Sequence, residues 1–152
     1  MKKIIDKIEK SLNGTLIFLY FTILVVTFLQ VLFRYVLNAP LIWSEELLRY
    51  VFIWATFIAA GVELGNGTHV RIDAVVSMFG TRLRKFLNMF AYILVAVFLI
   101  FVLVIGIDLV KEIFMTKSSA LKIPFGLVYG ALPVGSLIGI IFIIKAVFKK
   151  DK

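Results

Sequence analysis

Four stretches dominated by apolar side chains, at positions 12–33, 44–64, 86–110 and 125–144, occupy most of a chain of 152 residues. A helix rises about 1.5 Å per residue and the hydrocarbon core of a bilayer is about 30 Å thick, so each stretch is long enough to cross it. In lipid a segment must satisfy its own backbone polar groups, which selects helices. The expected fold is therefore an all-α integral membrane protein, with four transmembrane helices forming one domain over residues 1–152. The composition agrees: 62% of the residues are hydrophobic, against roughly 45–50% in soluble domains. Between spans two and three, Ile72, Val75, Val76 and Phe79 fall at i, i+3, i+4 and i+7. This face is too short to cross, and with Asp73 before it and Gly80 after it, it predicts a short interfacial amphipathic helix. Residues 1–10, with Ile4, Ile5 and Ile8 set against lysines, read as another short helix on the membrane surface.

The net charge of +8 does not point to nucleic acid, because the Lys and Arg residues flank the apolar runs instead of forming a basic stripe with interleaved aromatics. About twelve of the seventeen lie in the amino-terminal segment, the loop 66–85 and the tail from Lys145. That asymmetry places both termini and this loop in the cytoplasm. Arg82, Arg84 and Lys85 are the candidates for contact with lipid headgroups. The amino-terminal lysines and the apolar run behind them imitate a signal peptide, but the run exceeds the usual 7–15 residues and is read as a retained first span. The absence of cysteine excludes disulfides and thiolate chemistry. His69, the single histidine, has no second candidate ligand near it, so no metal, cofactor or catalytic residue is expected.

Polar residues concentrate at 38–73. Asn38, Ala39 and Pro40 form a turn signal ahead of span two. Ser44 is a candidate N-cap, and Glu45 and Glu46 fall in the first turn, where the helix dipole favours negative charge. Glu45 and Arg49 have the i,i+4 order of a local ion pair. The competing reading makes Trp43, Glu45, Glu46 and Arg49 a docking patch for another protein, because aromatic and Arg residues concentrate at interface cores. In span four, Gly126 and Gly130 are four apart, as are Gly135 and Gly139, a spacing that admits a second helix from the same subunit or from a partner. Pro133 between the pairs is expected to kink this helix. Gln30 in span one is an amide that seeks a partner on another helix. Arg34 and Asp108 end spans one and three and are expected to pair, with Lys111 as the competing local partner of Asp108.

A transporting protein holds polar groups at mid-depth, and these spans keep their ionisable residues toward the ends. The pattern is that of a scaffold or accessory subunit. A self-sufficient homodimeric exporter is the alternative, and it would require a carboxylate deep in a span to couple protons.

The run LNAPLIWSEELLRYVFIWATFIAAGVELGNGTHVRID, with Trp43, Ser44, Glu45, Glu46 and Arg49 at its head, resembles the small membrane subunit of tripartite ATP-independent periplasmic (TRAP) transporters, the DctQ-like family. The run SSALKIPFGLVYGALPVGSL, with Pro124 and Pro133, extends the likeness to the whole chain. The resemblance implies a four-span subunit of the bacterial inner membrane with both termini inside. It further implies a large multi-span partner subunit that carries the substrate and sodium sites, and a periplasmic substrate-binding protein that delivers an organic acid such as a C4-dicarboxylate or sialic acid. The small subunit would brace the large one, and the family supplies no catalytic residues to carry over.

Overall fold

The structure, a computed structural model, describes residues 2–66 and 81–150. These residues form five helices and no strand: α1 (Lys2–Tyr35), α2 (Ile42–Asn66), α3 (Thr81–Ile113), α4 (Phe125–Tyr129) and α5 (Ala131–Lys150). Four segments are long and apolar enough to cross a membrane: Ile5–Tyr35, Ile42–Leu64, Met89–Ile113, and Phe125–Ala146, the last built from α4 and α5 together. The chain is a multi-pass membrane protein. The amphipathic helix expected around 72–79 lies outside the described residues, as do His69 and the side chains of Arg82, Arg84 and Lys85.

The helices pack side by side in the order α1, α2, α5, α3, with α4 wedged against α3 and α2. The core joins Leu16 of α1, Ala55, Ile58 and Val62 of α2, and Phe142 of α5. What lets α2 and α5 approach is the loss of side chains on both. A Cβ on Gly61 would stand 2.8 Å from Ile138 Cγ2 and 2.9 Å from the Gly135 carbonyl oxygen, and one on Gly135 would stand 2.7 Å from Phe57 Cβ. A Cβ on Gly139 would meet Leu99 of α3 at 2.9 Å, and one on Gly126 would meet Phe114 at 2.6 Å. Gly130 faces chiefly its own backbone, with Trp54 at 3.8 Å. These four glycines, read from the sequence as candidates for a subunit interface, are occupied by packing within this chain.

One expectation for the helices is corrected. Residues 2–10 are not a separate surface helix: α1 is unbroken over 34 residues, about 50 Å at 1.5 Å per residue. Lys145 of α5 explains its course, since its Nζ lies 2.9 Å from Asp6 Oδ1 and 2.6 Å from Glu9 Oε2 and holds the start of α1 against the end of α5. The fourth span is interrupted at Gly130, three residues before Pro133, although Gly130 stays in the right-handed helical region, its N–H donating to the Gly126 carbonyl at 2.9 Å and its carbonyl accepting the Val134 N–H at 3.2 Å. Pro133 offers no N–H to the turn before it and fits best in the first turn of a helix, which is where α5 places it. The carbonyl of Leu127, left over at the end of α4, accepts the indole N–H of Trp54 at 3.2 Å.

Candidate functional site

The polar stretch at the head of α2 meets the loop between α3 and α4 at the end of the bundle opposite the termini. That loop is a small hairpin. Lys117 and Pro124 form an isolated antiparallel bridge, Ser118 N–H donates to the Ile123 carbonyl at 2.9 Å, and Phe125 N–H donates to the Thr116 carbonyl at 2.8 Å. Ser118 is buried and its hydroxyl accepts the Ile123 N–H at 3.2 Å. Lys122 turns the chain with φ of 57°, a left-handed conformation that costs a side-chain-bearing residue and needs surrounding contacts to hold it.

Those contacts come from Glu46. Its Oε1 accepts the N–H of Ala120 at 3.0 Å and its Oε2 that of Leu121 at 2.9 Å, so one carboxylate satisfies two successive backbone donors. Charge-assisted bonds of this kind are among the stronger ones available. Below them the Tyr50 ring, which is buried, meets Phe125 edge-on at 6.4 Å. Glu46 is thus an internal clamp between the head of α2 and the hairpin.

The other residues of the stretch fall elsewhere. α2 begins at Ile42, and Ser44 is not its N-cap: the buried hydroxyl donates to the Leu41 carbonyl at 2.7 Å. Glu45 lies in the first turn, as expected. Glu45 and Arg49 are both exposed, and no ion pair joins them among the described residues. Trp43 is also exposed. Asp108 pairs with Lys111 at 3.3 Å within α3, so the structure gives it the local partner in place of Arg34. This follows from the packing order, in which α1 lies against α2 while α3 lies against α5. Sequence reasoning missed Gly61 and the Lys145, Asp6 and Glu9 cluster. The small run Ala59, Ala60, Gly61 was the available signal for the first; the second joins residues more than 130 positions apart and carries no local signal.

The family described as tripartite ATP-independent periplasmic transporters, DctQ component, matches residues 23–152. The chain is similar to the sialic acid TRAP transporter permease protein SiaT of Haemophilus influenzae, with 33% identity over 132 residues, which is 87% of this chain and 21% of that protein. It is 29% identical over 120 residues to the isethionate TRAP transporter permease protein DctMQ of Oleidesulfovibrio alaskensis, covering 74% of this chain and 19% of the relative. The sialic acid TRAP transporter small permease protein SiaQ of Vibrio cholerae is 26% identical over 137 residues, 90% of this chain and 78% of its own length. The chain therefore spans about a fifth of the length of the first two relatives.

Proposed function

Because the chain belongs to the DctQ component family of TRAP transporters, we propose that it is the small permease subunit of such a transporter and braces a large multi-span subunit in the bacterial inner membrane. The family match over residues 23–152 carries this reading. It is supported by spans that keep their ionisable residues toward the ends and so offer no site of their own for an ion or acid at mid-depth. On this reading both termini are cytoplasmic, and the hairpin 116–124 and the head of α2 face the periplasm. The large subunit carries the sodium and substrate sites, and a periplasmic binding protein delivers the substrate. Relatives named for sialic acid, isethionate and C4-dicarboxylate make a small organic acid the substrate class.

The test is reconstitution. The large subunit and binding protein in proteoliposomes, under an inward sodium gradient, should take up the acid only when this chain is present. Uptake at the same rate without it would end the bracing role, and uptake that ignores the sodium gradient would end the coupling.

A further inference from the structure

The ionisable residues of α2 are Glu45, Glu46, Arg49 and Glu63. At 100° per residue, Ile42, Glu45, Arg49, Phe52, Thr56, Ala60 and Glu63 all fall within an arc of about 80°, and Glu46 lies outside it, turned to the hairpin. From Ile42 to Ala60 every member of this arc is exposed, with Phe52 at 60%, and Glu63 is half-buried. Glu45, Arg49 and Glu63 take part in no ion pair among the described residues. Deeper in the membrane, at the level of Phe52 to Ala60, the outward faces of α5 and α3 are hydrocarbon: Val134, Leu137 and Ile141 on α5, Val97, Phe101 and Val104 on α3. Nearer the hairpin, the exposed charges of α3, Asp108 and Lys111, pair with each other.

Ionisable residues within spans face a bundle interior and pair there. Here they face out of this chain's own bundle, so the interior they require is supplied by another molecule. A second copy of the chain is a poor occupant. Two copies inserted in the same direction about a two-fold axis normal to the membrane bring Arg49 against Arg49 and Glu45 against Glu45 at equal depth, and like charges so placed repel. We infer that the stripe Glu45, Arg49, Phe52, Thr56 and Ala60 of α2 is the docking face for a helix of the large permease subunit, one that presents a carboxylate at the depth of Arg49. Glu45 one turn above requires a donor or cation from the same helix. Thr56 and Ala60 leave room deeper in the membrane for its backbone to come close. This inference rests on the small-subunit reading above.

The experiment uses the chain co-expressed with its tagged large subunit. Photoreactive p-benzoylphenylalanine replaces, one at a time, Phe52 on the stripe, Phe28 on α1 and Phe101 on α3, three phenylalanines that are all exposed. Crosslinking to the large subunit is expected from position 52 and absent from at least one of the other two. Arg49→Glu is expected to lower recovery of the large subunit by about tenfold or more, whereas Lys111→Glu leaves it unchanged. Crosslinks from position 28 or 101 without one from 52, in a complex that still co-purifies, overturn the face and leave the small-subunit reading standing. A crosslink from 52 to a second copy of the chain, or to lipid alone, also overturns it. Failure of the unaltered chain to co-purify with the large subunit overturns both readings.

Discussion

Two lysines on neighbouring helices show how environment decides what a charge contributes. Lys111 and Asp108 meet at 3.3 Å with side chains 73% and 72% exposed, and pairs of that kind contribute about 0–1 kcal/mol. Lys145 is 16% exposed, is held by two carboxylates, and has its Nζ 5.6 Å from the centre of the Phe142 ring. Hydrogen bonds to charged groups contribute about 1.5–3 kcal/mol, and polar couplings measured in membrane proteins reach about 1.7. A double-mutant cycle of Lys145→Gln with Glu9→Gln, read by unfolding in detergent, should therefore give a coupling of about 1–2 kcal/mol. The cycle of Lys111→Gln with Asp108→Asn should give less than about 0.5; equal couplings would sink the distinction. Glu46 makes a sharper case. Glu46→Gln keeps one acceptor oxygen but turns an NH2 group toward an N–H of Ala120 or Leu121, so donor faces donor. Amide exchange at these two residues should speed up while that at Ser118 changes less, and unchanged exchange at Ala120 and Leu121 would rule out the clamp. The sequence placed Glu46 beside Glu45 in the first turn of a span, as a complement to the helix dipole or as part of a docking patch. Its partners could not be read there, because backbone donors more than 70 residues away have no side-chain signature.

At the scale of elements, the seam between α2 and α5 depends on glycine in a way that the exposed Gly14 of α1 does not. A Cβ on Gly135 would lie 2.7 Å from Phe57 Cβ and 2.8 Å from the Phe57 carbonyl oxygen, while one on Gly14 would meet nothing within 4 Å. The carbonyl cannot rotate away as a side chain could, so Gly135→Ala must push the helices apart at a cost of about 1–3 kcal/mol. Gly14→Ala should instead stabilise α1 by up to about 1 kcal/mol through helix propensity. Thermal denaturation of the two variants in detergent should move in opposite directions, and a Gly135→Ala protein as stable as the parent would refute the close approach. The spacing of the span-four glycines announced a tight helix contact, and the structure supplies one. Which helix would fill it was not written in that spacing, since a backbone-accepting surface is the same for a neighbour in the chain and for a partner. The interruption at Gly130 was half legible: Pro133 forbids one backbone bond, but nothing in the sequence announced that the indole of Trp54 would take up the carbonyl of Leu127.

For the whole molecule, the arrangement of four crossing helices was the most legible feature, because length and hydropathy alone bound it. Their lateral order was not, and it is the order that separates Arg34 from Asp108 and leaves one face of α2 polar. Orientation is the remaining global property, and it is a matter of charge counting. Cytoplasmic loops collect Lys and Arg, and the two sides of this chain differ in that count: about twelve of the seventeen lie in the amino-terminal segment, the loop 66–85 and the tail from Lys145, against five, Arg34, Arg49, Lys111, Lys117 and Lys122, toward the hairpin side. Since the chain holds no cysteine, a single introduced one is the only thiol a reagent can find. Lys7 and Ser119 are both exposed and lie at opposite ends, so Lys7→Cys and Ser119→Cys report the two sides without disturbing the core. In intact cells an impermeant maleimide should label Ser119→Cys and spare Lys7→Cys, and permeabilising the cells should make both react. Labelling of Lys7→Cys alone from outside would invert the molecule. The Glu46 clamp and the hairpin would then face the cytoplasm, where a periplasmic binding protein could not reach them.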